Sequence, residues 1–323
     1  MIIRMNATIV IPNYNGKAYL ASCLQSIYEG TTVPKVIVAD NGSSDGSLAL
    51  IEENYPQVQI IRFPDNQGFC TAVNAGIRAT DTKYVILLNN DTRAEAHFVE
   101  ELVKSIEKKP NAFSVSAKML SMKEPDIIDD AGDLYCALGW AFALGKGKVK
   151  EYCDKEREIF AACGGASIYR RDLFERIGYF DENHFAYLED MDIGYRAKIF
   201  GYRNYFTPKA IVYHAGSAVS GSRYNEFKVK LSSRNSIYLV SKNMPLLQLL
   251  VNLPFLLPGF LIKFLFFVKK GLGKTYFLGL LRGIGLSFSQ EGKQNKVKFQ
   301  MENINNYMRI QLELWINMAF LSL

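Results

Sequence analysis

The sequence predicts an α/β protein with a mostly parallel central sheet flanked by helices and a helical, membrane-associating C-terminal region. Three observations predict it. Short β-branched runs alternate with helical stretches through residues 7–88, and polar clusters stand directly after three of those runs. The third is a change of character past residue 225. From Glu226 onward 13 Lys and Arg stand against 4 Asp and Glu, a net of +9, so the first 225 residues carry −3 of the formal +6.

Residues 7–11 (ATIVI), 35–39 (KVIVA), 58–62 (VQIIR) and 84–88 (YVILL) read as buried strands. Residues 17–28, 46–54 and 69–79 read as the helices between them. This spacing implies parallel pairing, with ligands held outside the carboxyl ends of the strands. The polar clusters fall there: Asn13-Tyr14-Asn15, then Asp40 to Asp45, then Asn89-Asn90-Asp91. Residues 95–108 read as a helix stopped by Pro110, and 132–147, with four glycines, as an irregular excursion or hairpin. Next come a strand at 166–169, a helix from Asp172, a helix at 192–200, and strands at 204–207 and 211–214. After Tyr224 only helical signals remain, which divides the chain into a catalytic unit, 1–225, and a C-terminal unit, 226–323.

With 49% hydrophobic and 22% charged residues the chain is not disordered. Five cysteines without a CxxC pair exclude a disulfide framework and a thiolate metal site, and fit a reducing compartment. The N-terminus lacks a secretory pattern. There is no GxxxxGK[ST], no GxGxxG after a strand and no GxSxG, which removes the P-loop, dinucleotide and hydrolase readings. The basic tail is too apolar to read as a nucleic-acid arm.

Three acidic elements carry chemistry. Asp40 ends a strand and can accept hydrogen bonds from a base or ribose, whereas Asp45 serves equally well as a helix cap. Asp91 emerges from a buried strand, a place from which a carboxylate can hold a hard divalent cation against a diphosphate. In Leu188-Glu189-Asp190-Met191-Asp192, Asp192 reads as a helix cap that can pair with Arg196, leaving Glu189 and Asp190 as candidate bases. His214, at a strand end, is a suitable further metal ligand, and Gly164-Gly165 admits close approach of a sugar or phosphate.

Taken in order, these elements resemble the inverting family-2 glycosyltransferases of the GT-A nucleotide-diphospho-sugar transferase fold, rhamnosyltransferase-like members in particular. The resemblance rests on TIVIPNYN (8–15), VADNGSSDG (38–46), NQGF (66–69) with NAG (74–76), LNND (88–91), GGA (164–166), GYFDE (178–182), EDMD (189–192) and HAGS (214–217). It implies that Pro12, Asn15, Asp40, Asn41, Asp45, Asn66, Gly68, Asn74, Asn90 and Asp91 bind the nucleotide-sugar, and that Asp91 and His214 hold Mg²⁺ or Mn²⁺. It further implies Asp190 as general base beside Glu189, with Gly164, Gly165, Arg196 and Arg234 on the acceptor and diphosphate side. Where the family carries DxD this chain has Asn-Asn-Asp, so one charged ligand is missing and metal affinity is expected to be weaker.

Residues 246–268 form the most apolar stretch, interrupted by Gln248, Asn252, Pro254, Pro258 and Lys263 and followed by basic residues. Two prolines kink a spanning helix, which favours helices lying in the membrane interface with lysines on anionic headgroups; the alternatives are a re-entrant or true span, and a buried dimer interface or helical cap on the catalytic domain. The expected partners are a nucleoside-diphosphate-sugar donor, a glycan or polyprenyl-linked acceptor and an anionic membrane surface at the cytoplasmic face, with no nucleic acid. The competing functions are a nucleotidyltransferase, for which Asn13 to Lys17 offers little triphosphate grip, and a non-catalytic nucleotide-sugar or lipid-binding scaffold.

Overall fold

The computed structural model describes residues 6–216 and 224–322. Its strands are β1 (Ala7–Asn13), β2 (Lys35–Asp40), β3 (Gln59–Arg62), β4 (Tyr84–Leu88), β5 (Thr92–Ala94), β6 (Ala112–Ser121), β7 (Ile128–Asp130), β8 (Asp133–Cys136), β9 (Trp140–Ala143), β10 (Arg157–Ile159), β11 (Ala166–Arg170) and β12 (Arg203–His214). The helices are α1 (Lys17–Tyr28), α2 (Ser47–Asn54), α3 (Gly68–Ala79), α4 (Phe98–Glu107), α5 (Leu173–Ile177), α6 (Glu189–Ile199), α7 (Glu226–Asn243), α8 (Leu246–Lys269), α9 (Gly273–Phe288), α10 (Gln290–Gln294) and α11 (Ile304–Ile316).

Ten strands form one sheet in the order β10-β12-β6-β11-β4-β1-β2-β3, with β5 on β12 and β7 on β6. β1 to β4 pair in parallel, Val10 lying opposite both Ile37 and Leu87. The apolar runs of β1, β2 and β4 are buried on both faces, under α1, α2 and α4 on one side and α3, α5 and α6 on the other, with β3 half-buried at the edge. The second half departs from the parallel expectation. β11 enters antiparallel between β4 and β6, so the whole sheet is mixed. No helix precedes β11 to carry the chain back across a face, as a parallel partner requires. Residues 204–207 and 211–214 belong to one strand, β12, with a register shift between Phe206 and Ile211.

The excursion at 132–147 contains the hairpin β8–β9, in which Asp133 pairs with Ala143 and Cys136 with Trp140. The C-terminal helices share a core with the sheet unit: Tyr135, Phe160 and Tyr195 pack together with Leu239, Leu256, Tyr307 and Leu314. α8 is long and apolar enough to cross a membrane, yet 17% of its most apolar window is buried. Its residues Gln248, Asn252, Leu256, Gly259 and Phe267 turn inward, while Leu246, Leu250, Leu257, Leu261 and Leu265 are exposed. An outward apolar face and an inward stripe carrying polar groups are the reverse of an ordinary soluble amphipathic helix.

Candidate active site

The carboxyl ends of β1, β2 and β4 meet in a lattice of short polar side chains. Asn13 Nδ2 donates to Asp40 Oδ1 at 2.7 Å and to Ser47 Oγ at 3.0 Å, while its Oδ1 accepts from Asn90 Nδ2 at 2.7 Å. Asp40, almost fully buried, also accepts from the Ser43 N–H and hydroxyl. Asn15, in the left-handed region at φ 49°, accepts from the Ser44 N–H. Only a glycine fits at 16, because a Cβ there would stand 2.0 Å from Asn90 Nδ2. Pro12 lies beside this cluster in β1, paired with Ala39. Asp45 accepts from the first N–H of α1, at Lys17, and from the N–H and hydroxyl of Ser47. Against the burial that raises it, these bonds hold its pKa below the usual value.

Asn41 Nδ2 donates to Gly68 O, and its buried Oδ1 has no partner among the described residues. An orphaned acceptor costs free energy until a donor reaches it, which makes Asn41 a candidate reader of a base N–H. Asn66 Oδ1 accepts from Gly68 N, shaping the turn into α3.

At the end of β4, the Asp91 carboxylate is 7% exposed as a residue and its Oδ1 lies 3.3 Å from His214 Nε2. His214 Nδ1 lies 2.6 Å from Asp129 Oδ2, and Asp129 is gripped by Lys146 at 2.6 Å. Burial lowers the His214 pKa, but the two flanking carboxylates outweigh it and bring it up to about 9. Asp129, although burial opposes it, is held below the usual carboxylate range by His214 and Lys146. A carboxylate oxygen facing an imidazole nitrogen, with the other nitrogen held by a second carboxylate, is a donor set that suits a divalent cation.

Asn89 N donates to Gly165 O at 2.8 Å, which ties the end of β4 that carries Asp91 to the Gly164-Gly165 turn. The Gly164 N–H in turn faces Asp190, whose Oδ1 also accepts from Met191 N at 2.7 Å. Asp190 is half-buried and Glu189 is buried, with Glu189 Oε2 unpartnered among the described residues. Burial raises both pKa values, and the neighbouring Asp190 and Asp192 help push Glu189 up to about 8. Asp130, Asp133 and Cys163 converge beside them, their ligand atoms within 4.8 Å of one another. Burial raises the Asp130 pKa to about 7 and that of the Cys163 thiol well above its usual value, and a sulfur is a softer ligand than the oxygens a hard cation takes.

The sequence and fold compare with known proteins as follows. The family model described as Glycosyl transferase family 2 matches residues 8–178, more than half of the chain. The chain belongs to glycosyl transferase family 2. It is 27% identical over 234 residues to the N-acetylglucosaminyl-diphospho-decaprenol L-rhamnosyltransferase of Mycobacterium tuberculosis, covering 64% of this chain and 75% of that one. Among solved structures, a mannosyltransferase from Pyrobaculum calidifontis in complex with GDP-Man and Mn²⁺ superposes with TM-score 0.55 at 16% identity, over 97% of this chain and 85% of that chain. GalNAc-T7 with UDP, GalNAc and Mn²⁺ gives TM-score 0.57 at 17% identity over 73% of this chain but only 47% of its own. These likenesses show the GT-A fold, and the family makes the chain a glycosyltransferase, similar in sequence to a rhamnosyltransferase.

Several side chains of the glycosyltransferase expected at the site are engaged by the protein itself. Arg196 is 4% exposed, and its guanidinium donates to Asp192 and to the carbonyls of Ile177, Gly178 and Tyr179. Asn74 brackets Phe180 through N–H and C=O and reaches Glu182. Arg234 and Asn235 clamp residues 183–187 by their carbonyls, supporting a segment in which Phe185, Tyr187 and Leu188 all have positive φ. That strained segment delivers Glu189 to the first position of α6.

The helix therefore starts at Glu189, not Asp192, and Asp192 caps nothing. It is a buried anion that meets Arg196, Lys242 and Asn243. Asp181, His184 and Asp192 also converge, but the Lys242 ammonium already bridges both carboxylates at 2.7 and 2.8 Å. Asp129, Asp130, Asp133 and Lys146 are the residues that sequence reading missed. Their signal was a run of acids flanking glycines between 126 and 147, otherwise read as loop. Of HAGS (214–217), Ser217 lies outside the described residues.

Proposed function

We propose that this chain is an inverting transferase that moves a sugar, L-rhamnose or a related deoxyhexose, from a nucleoside diphosphate to a hydroxyl of a lipid-linked glycan acceptor. Its place is the cytoplasmic face of the cell membrane, in cell-surface polysaccharide assembly. One observation carries the chemistry. The Asn89–Gly165 hydrogen bond joins the Asp91–His214 pair to the turn whose Gly164 N–H faces Asp190. A diphosphate-binding end and a half-exposed carboxylate thus share one rigid frame.

In the reaction, Asp190 accepts the proton of the acceptor hydroxyl as its oxygen attacks the anomeric carbon, and the nucleoside diphosphate leaves from the opposite side. Asp190 is preferred to Glu189 because it is the more accessible of the two. Glu189, raised to about 8, keeps a proton and so relieves repulsion on Asp190. Asp40, Asn41 and Asn15 orient the nucleoside, with Asn13 and Asn90 holding the lattice behind them. Asp91 and His214 are the residues that would hold Mg²⁺ or Mn²⁺, which supplies charge neutralisation on the leaving diphosphate when bound.

Support for the acceptor and location comes from the mycobacterial relative, whose name specifies a decaprenol-diphosphate-linked substrate, and from the outward apolar faces of α8 and α9. Leu246, Leu247, Leu261 and Phe288 are among the most exposed large apolar side chains, and a surface of this kind is a membrane or protein contact. Five free cysteines fit a reducing compartment.

The test is a screen of nucleotide-sugars for nucleoside diphosphate release with a detergent-solubilised lipid-linked acceptor, wild type against Asp190→Asn. We expect one donor to turn over and the variant to lose about 10²- to 10⁴-fold in rate while still binding nucleotide. Wild-type turnover by the variant would remove Asp190 as the base. Silence from every donor would remove the enzymatic reading.

A further inference from the structure

Lys263 is the only charged side chain in residues 246–268. Among the described residues no carboxylate pairs with it, and its ammonium stands 5.4 Å from the centroid of the Trp140 ring. It is half-buried on the inward side of α8, one helical turn from Gly259 and one from Phe267. Desolvation brings its pKa down to about 8, a cost that an anion beside it would relieve.

Its surroundings connect it to both halves of the active site. Trp140 Nε1 donates to Gly259 O at 3.0 Å, and a Cβ at Gly259 would stand 2.2 Å from Leu138 O, so the hairpin tip is seated directly on α8. The other end of the hairpin is Asp133, in the acid group beside Asp190. Three residues of strand separate Asp133 from Cys136, about 10 Å of extended chain. On the same face of α8, Phe267 meets Tyr224 edge-to-face, with ring centroids 5.8 Å apart. A cation lacking a carboxylate partner lies where the apolar helix meets the hairpin that leads to the base.

We propose that Lys263 binds the diphosphate that links the acceptor sugar to its isoprenoid chain, with the chain lying along the exposed apolar face of α8. This rests on the lipid-linked acceptor reading above. The cation–π contact with Trp140 holds the ammonium in place without neutralising it, leaving its charge for the ligand. A lysine suits this role because an ammonium reads phosphate as a point charge and needs no bidentate geometry.

The test uses the full-length chain, with Trp315→Phe as background so that Trp140 is the reporting indole. Farnesyl diphosphate is titrated against its fluorescence, with farnesol and phosphatidylglycerol vesicles as comparison ligands. We expect a saturable change with farnesyl diphosphate that weakens by about tenfold or more in Lys263→Met and is largely restored in Lys263→Arg. Farnesol should bind wild type and Lys263→Met alike. Equal farnesyl diphosphate affinity in wild type and Lys263→Met overturns the site. So does a Lys263-dependent response to the vesicles equal to that of farnesyl diphosphate, which would mark a general headgroup contact. No donor is present, so the outcome separates from the acceptor reading. A chain that binds farnesyl diphosphate through Lys263 but never glycosylates a lipid-linked acceptor refutes that reading and keeps the site.

Discussion

The Asp129 carboxylate lies 2.6 Å from His214 Nδ1, a contact made across 85 positions of sequence. It leaves Nε2 as the nitrogen that faces Asp91, so Asp129 orients the ring and Lys146 orients Asp129. In the proposed metal site the DxD-like element is Asn-Asn-Asp, so the orientation of His214 carries more weight, because there is one carboxylate fewer to hold a cation.

Asp129→Asn should therefore weaken Mn²⁺ binding by about 10- to 100-fold with the fold retained. Electron paramagnetic resonance titration of free Mn²⁺ against the full chain measures this without turnover. Lys146→Met should weaken it less, since the Asp129–His214 contact survives. Unchanged Mn²⁺ affinity in Asp129→Asn would show that His214 needs no such orientation.

The buried ion network makes Arg196 a stability residue. Asp192 meets Arg196 and Lys242, and Asp181 meets Lys242 and Tyr238, all buried, with the exposed Asn295 reaching Asp181 from outside. Arg196→Ala would leave Asp192 to Lys242 and Asn243 alone and strip the carbonyls of Ile177, Gly178 and Tyr179 of their donor, and removing one partner of a buried pair costs about 3–5 kcal/mol. Urea unfolding should show that loss, while the variant that remains folded at low temperature keeps nucleotide affinity. A full loss of turnover with an unchanged urea midpoint would return Arg196 to the reaction itself.

What was legible in the sequence follows from burial. β1, β2 and β4 are apolar and buried on both faces, so their runs stand out, and the observed limits of these and of the edge strand β3 lie within a residue or two of the expected ones. β6 was invisible because its buried positions include Ser114, Ser116 and Lys118, and polar residues inside a sheet break the apolar signal. The start of α6 was misplaced because its cap is Leu188 at φ 66°, a conformation for which a leucine gives no sign. Asp40, Asp91, Asp190 and His214 stood out in the sequence because they end a strand, follow one closely or open a helix. Asp129 was not, because its partner is remote and β7 is only three residues long.

His184 offers a test of the same buried network through pH. It is fully buried beside Tyr238, both ring nitrogens lack partners among the described residues, and burial lowers its pKa to about 4. Asp192 and Asp181 oppose that shift, while Lys242 and Arg196 add to it. The unfolded chain, with an ordinary value near 6.5, binds the proton more readily than the folded one. His184 thus supports the fold fully above pH 6.5, and that support drains away as pH falls towards 4, by on the order of 3 kcal/mol in all. Glu189 and Asp130, raised to about 8 and about 7, contribute in the opposite direction, so the comparison must be between variants. His184→Phe keeps the ring contact with Tyr238 and removes the titration. Urea midpoints of wild type should fall relative to those of His184→Phe between pH 6.5 and 4.5. Parallel pH profiles would mean that the imidazole finds a partner when it is protonated, and that the pocket is more polar than its neutral form indicates.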